Sequence, residues 1–159
     1  MNKLLVAGAF SAALLAGPAS AQMYLGAGVG AAKTDTHETS WKLYGGYQFN
    51  PTWGIEAGYT DLGHYLGSSI DSWSLAGTAT FPLSASWSLF GKLGAVENRP
   101  RFATATNHTD LLAGIGVGYS LTKNVGLRLE YEDYGKLSNV SNGANSKGSN
   151  LGLSVKYSF

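Results

Sequence analysis

The sequence of 159 residues balances 11 Lys and Arg against 10 Asp and Glu, a formal charge of +1, and holds no cysteine. That balance offers no basic field for nucleic acid, and the missing thiols exclude disulfides and thiolate chemistry. Charged residues make up only 13% of the chain while glycine reaches 22 residues, so whatever surface the protein exposes must tolerate few charges.

Residues 1–21 read as an export signal. Met1-Asn2-Lys3 gives a basic start, residues 4–17 an apolar run too short to cross a bilayer as a helix, and Ala19 and Ala21 the small residues of a cleavage site before Gln22. Residues 22–159 are then a single exported domain.

From Gln22 the chain divides into eight segments of period two with no helical pattern between them. Residues 23–32 set Leu25, Ala27, Val29 and Ala31 against Gly26, Gly28 and Gly30. Residues 40–49 set Trp41, Leu43, Tyr47 and Phe49 against Lys42, Tyr44 and Gln48. Asn50-Pro51-Thr52 has the composition of a tight turn. The third segment places Trp53, Ile55, Ala57 and Tyr59 opposite Gly54, Glu56, Gly58 and Thr60. Residues 70–81 oppose Trp73, Leu75, Ala79 and Phe81 to Ser72, Ser74, Thr78 and Thr80, before a turn at 82–85.

The fifth segment, 86–97, sets Trp87, Leu89, Leu93 and Ala95 against Ser88, Phe90, Lys92 and Gly94. The sixth, 108–120, sets Leu111, Ala113, Ile115, Val117 and Tyr119 against Asp110, Gly114, Gly116 and Gly118, and turns at 121–124. In the seventh, Val125, Leu127, Leu129 and Tyr131 oppose Arg128, Glu130 and Glu132. The last, 148–159, alternates Leu151, Leu153, Val155, Tyr157 and Phe159 with Asn150, Gly152, Ser154, Lys156 and Ser158. An edge strand this apolar needs a partner, and the first strand supplies it.

Long polar connections (33–39, 61–69, 98–107 and 135–147) alternate with short turns, so the long ones share one end. Eight antiparallel strands of this kind predict an all-β, up-and-down barrel. A water-soluble carrier would present the Gly, Ser and Thr face to solvent with few charges; a membrane barrel would present the apolar face to lipid and fill its narrow interior with small and paired polar residues. The aromatic residues favour the membrane barrel. Trp41, Trp53, Trp73, Trp87, Tyr119, Tyr157 and Phe159 all fall on the apolar face near strand ends, where interfacial belts form, and the charges sharing that face, Asp71, Glu97 and Asp133, stay at the long-loop ends. Strands of about 10 residues match the height of an outer-membrane apolar band.

The order Gly45-Gly46-Tyr47-Gln48-Phe49-Asn50-Pro51, Gly54-Ile55-Glu56-Ala57-Gly58-Tyr59, Lys92-Leu93-Gly94, Gly114-Ile115-Gly116-Val117-Gly118-Tyr119, Leu127-Arg128-Leu129-Glu130-Tyr131 and Tyr157-Ser158-Phe159 resembles the transmembrane barrel of the OmpA family, which includes small OmpX-type surface proteins. The resemblance covers the barrel domain only; the peptidoglycan-binding domain of larger members has no counterpart before the sequence stops at Phe159. It implies outer-membrane lipids and lipopolysaccharide as surroundings, assembly machinery that engages the C-terminal strand, a monomeric barrel, and a role in envelope integrity, adhesion or host interaction through four extracellular loops. Glu56, Lys92, Arg128 and Glu130 stand at positions of the family's interior charge cluster, whereas Thr78 occupies a place where a basic residue is expected.

On the inner face, Lys42, Lys92, Arg128 and Lys156 meet Glu56, Asp110, Glu130 and Glu132, four of each sign. Buried charge must be paired, so Glu56 and Glu130 are expected to reach Lys92 and Arg128 across the lumen, with Lys42, Asp110, Glu132 and Lys156 secondary. A plug and a narrow, low-conductance path both use such a cluster. A lipid-modifying enzyme would need a placed His and nucleophile; His37, His64 and His108 fall in or near long loops with no His-x-Ser pair, so no catalytic, cofactor or metal residue is expected. The Gly-x-Gly runs lie inside strands without a following helix, which indicates packing rather than nucleotide binding.

Overall fold

In a computed structural model the chain is described over residues 22–33, 37–65, 68–100, 108–139 and 145–159; the expected export signal at 1–21 lies outside the described residues. Eight strands follow one another: β1 (Gln22–Lys33), β2 (His37–Gln48), β3 (Trp53–Tyr65), β4 (Ser68–Pro82), β5 (Trp87–Pro100), β6 (His108–Ser120), β7 (Val125–Asn139) and β8 (Asn145–Ser158). Each pairs antiparallel with its sequence neighbours, and β8 returns to β1 from Tyr24↔Ser158 to Lys33↔Ser149, closing the barrel.

Alternation sets the sidedness. Leu153 is 53% exposed and Trp41 43%, whereas Lys92 and Arg128 are 5% and 6% exposed, so the apolar side chains face out and the ions face in. All seven belt aromatics are on the outer face. With Tyr59 they form two tiers: Trp41, Tyr59 and Trp73 lie in a row across β2, β3 and β4, while Trp53, Trp87 with Tyr119, and Tyr157 with Phe159 lie at the short-turn end. Asp71 keeps the outer parity of Trp73 but lies in the ladders between Asp61 and Arg99 and is buried.

The three short turns share one construction. The N–H groups of Phe49 and Asn50 donate to the Trp53 carbonyl, those of Leu83 and Ser84 to Trp87, and those of Leu121 and Thr122 to Val125. In each, one side-chain oxygen accepts two backbone N–H groups: Asn50 Oδ1 from Thr52 and Trp53, Ser84 Oγ from Ser86 and Trp87, Thr122 Oγ1 from Asn124 and Val125. Short polar side chains offer the backbone this local alternative, which ends each strand.

At the other end the strands outrun expectation. They are 12 to 15 residues long, and the connections expected at 33–39, 61–69, 98–107 and 135–147 give up much of their length to the ladders. The reason is physical: beyond the lipid both faces of a strand can be polar, so backbone pairing continues where alternation stops. Gly135, which reads as the start of a loop, instead sits at a bulge in β7. Its φ of 67° is left-handed and its N–H donates to Asp133 Oδ1 at 2.8 Å, while the pairing with β8 shifts register between Asp133 and Lys136. The tips at 34–36, 66–67, 101–107 and 140–144 lie outside the described residues.

Candidate functional site

The interior begins with one strand. Period two puts Arg128, Glu130 and Glu132 of β7 on the lumenal face, about 7 Å apart from one to the next. Beside them β6 carries Gly118, Gly116 and Gly114 in register with these three residues. The glycines leave the room that the charges fill. A Cβ at Gly114 would come 2.8 Å from Lys92 Cε, and one at Gly116 would come 2.8 Å from Phe90 Cε1. These Gly-x-Gly runs are packing surfaces.

Lys42 of β2 and Lys92 of β5 reach into the same volume, as does Glu56 of β3. Lys42 Nζ lies 2.6 Å from Glu130 Oε1, 2.8 Å from Glu132 Oε1 and 3.8 Å from Glu56 Oε1. Lys92 Nζ lies 3.2 Å from Glu56 and 3.1 Å from Glu130, and also pairs with Glu132. Arg128 donates to Glu56 Oε2 at 2.7 Å and to Glu130 Oε2 at 3.4 Å. Three cations thus meet three carboxylates, and the six together carry no net charge. The guanidinium of Arg128 also lies 3.9 Å from the centroid of the Phe90 ring and 4.8 Å from that of Tyr44, so its flat face meets π-density while its edge meets oxygen. Tyr24 donates to Glu56 Oε2 at 3.0 Å.

The structure therefore brings Glu56, Lys92, Arg128 and Glu130 together with Lys42 and Glu132, which bind as centrally as the other four. It leaves Asp110 and Lys156 outside. Asp110 sits toward the long-loop end, opposite Val96 in the ladder and against Gly135. Lys156, near the short turns, places Nζ 5.1 Å from the Tyr24 ring centroid. The side chains of His37, His64 and His108 lie outside the described residues.

Above the ions, toward the long loops, the lumen changes chemistry. Ala32, Ala76, Val96, Leu112 and Tyr134 form a buried apolar cluster. Around it run Ser40 to Asn150 (2.7 Å), Ser72 to Asn98 (2.6 Å) and Asn98 Nδ2 to the Tyr134 carbonyl (3.2 Å). Tyr134 joins the layers, since its hydroxyl donates to Glu132 Oε2 at 2.9 Å and lies 3.0 Å from Thr60 Oγ1. Alternation alone does not reveal this cluster. The signal for it is a set of apolar doublets, Ala31-Ala32, Leu75-Ala76, Ala95-Val96 and Leu111-Leu112, which break the period and place one member inside.

Two internal spaces flank the ion network. One, about 50 Å³, opens among residues of the short-turn end and touches Arg128; the other, about 10 Å³, touches Lys42 and Glu130. Among the described residues no three His, Cys, Asp or Glu side chains converge as a metal site.

A family model described as "Outer membrane protein beta-barrel domain" matches residues 3–159. Outer membrane protein A of Serratia marcescens is 28% identical over an alignment of 152 residues that covers 83% of this chain and 42% of that protein; the chain thus spans less than half of that relative. Among solved structures, Neisserial surface protein A superposes with a TM-score of 0.63 at 19% identity, covering 87% of this chain and 97% of that one. The N-terminal barrel of Pseudomonas aeruginosa OprF gives 0.62 at 12% identity, with 88% and 98% covered. Ail, the attachment invasion locus protein of Yersinia pestis, gives 0.57 at 20% identity, with 87% and 97% covered. At these identities the three structures share the fold.

Proposed function

Because the chain belongs to the outer membrane protein β-barrel domain family, it is an integral outer-membrane protein of Gram-negative type, and we propose that its barrel is a sealed anchor that displays four hairpins outside the cell. The observation that carries this reading is the neutral six-residue network across the lumen, with Lys42, Glu56, Lys92, Arg128, Glu130 and Glu132 all at most 6% exposed. A path for ions would have to pass groups that already satisfy one another, and breaking them leaves uncompensated buried charge. The work of the protein then falls to envelope integrity and to contacts made by the hairpins.

Several further assignments belong to this reading. Residues 1–21 direct export and are cleaved before Gln22. The apolar outer face contacts lipid and lipopolysaccharide, the C-terminal strand is the part offered to the assembly machinery, and a closed barrel without a free edge functions as a monomer. Adhesion or host contact through the long hairpins draws support from Ail, a barrel of the same fold whose structure was determined with the heparin analogue sucrose octasulfate.

Planar bilayer recording tests the seal. The folded protein is expected to show no unitary steps, and Glu56→Ala and Arg128→Ala to show small ones; steady conductance in the unmodified barrel would instead establish the narrow pore. A binding screen on cells with shortened hairpins tests display. Loss of binding with unchanged heat-modifiable folding supports it, and binding unaffected by removal of all four hairpins refutes it.

A further inference from the structure

The 50 Å³ space below the ion network has an uneven lining. Of its twelve residues two are cationic, Arg128 and Lys156, and none is acidic. The network above it is internally neutral, and Asp110 on the inner face of β6 sits toward the opposite end of the lumen. The ammonium of Lys156 rests near the Tyr24 ring, and among the described residues no carboxylate lies within ion-pair distance of it. The charged groups whose fields reach it are Arg128 and Glu56, which are already paired with each other.

A second observation points at the same space. Thr78 lines it, is 4% exposed, and its Oγ1 makes no hydrogen bond of ordinary geometry; the Tyr24 hydroxyl is near enough only for a weaker contact. A buried hydroxyl whose hydrogen-bonding contact is this weak is left poorly satisfied. A bound acceptor in this space would take its proton. Gln48, Thr80 and Ser88, from the ends of β2, β4 and β5, add polar lining where the space faces the short turns.

We propose that this vestibule is a binding site for one compact inorganic anion such as chloride, entering from the short-turn end, with Lys156 as its charge partner and Thr78 as a hydrogen-bond donor. Size sets the class. A cavity of about 10–15 Å³ already holds one water, so about 50 Å³ admits a small inorganic anion with a few companion waters and is too small for a nucleotide. The site is independent of whether the barrel conducts, because Lys156 and Thr78 take no part in the six-residue network.

Nuclear magnetic resonance of the labelled, refolded barrel tests the site, with sodium chloride replacing sodium gluconate at constant ionic strength. Chloride is expected to produce saturable shifts at the amides of Gly118, Gly126 and Lys156. Lys156→Met should raise the midpoint roughly tenfold, and Thr78→Val about threefold, as loss of a charge partner and of one donor require. Shifts that rise linearly without saturation overturn the site, as does a midpoint unchanged in Lys156→Met. If heat-modifiable migration shows that Lys156→Met does not fold, Thr78→Val decides, and an unchanged midpoint there overturns the proposal.

Discussion

The barrel fills its interior twice, by opposite means. In the lower layer three cations and three carboxylates satisfy one another, and in the upper layer Leu112, Val96, Ala76, Ala32 and Tyr134 pack without charge. Both layers are buried, yet their tolerances differ. An ionic layer depends on complete pairing, since removing one member strands the others in a low-dielectric site. An apolar layer depends on volume, and a missing methyl group leaves a hole rather than an unpaired charge. Within one lumen, electrostatics and packing divide the labour.

Substitutions in the two layers sharpen that division. Glu56→Ala strips an oxygen partner from Lys92 and from Arg128 and is expected to cost about 3–5 kcal/mol of unfolding free energy, read by urea titration of tryptophan fluorescence in lipid vesicles. A loss under about 1 kcal/mol would mean that water already screens the lower layer. Leu112→Ala should cost about 2–4 kcal/mol by the same titration, and, unlike Glu56→Ala, its cost should not change with salt. Tyr134→Phe removes the hydroxyl that bridges the layers at Glu132 and should cost about 1.5 kcal/mol. A double-mutant cycle with Glu132→Gln should then show coupling between them, whereas additive effects would show that the layers are energetically separate.

Much of this architecture is legible from spacing alone. Alternation locates all eight strands because one face must match lipid and the other must not, and Asn50, Ser84 and Thr122 mark the short turns through the same two-bond cap. The outer ends of the strands are harder to read. Asp61 shares the parity of Trp53 and Tyr59 yet is charged, because a residue of β3 escapes any requirement to be apolar once the strand leaves the membrane. The charged residues of the lower layer are visible on the inner parity, but their ranking is not. Lys42 and Glu132 bind centrally because the lumen is narrow enough for a lysine on β2 to reach β7, a distance that parity does not encode. Leu112 and Val96 hide for another reason, since next to Leu111 and Ala95 each looks like one more residue of the lipid face.

The ladder between β1 and β8 joins positions at opposite ends of the chain, ten residue pairs in all. Every other pairing can form between successive hairpins, but this seam waits for the last strand, and long sequence separation makes such a step slow. Until it zips, two rows of unpaired amides and carbonyls would face hydrocarbon, where each unsatisfied group costs several kcal/mol. Insertion and closure are therefore one event for this protein: a half-entered sheet with an open seam has no stable place in the bilayer.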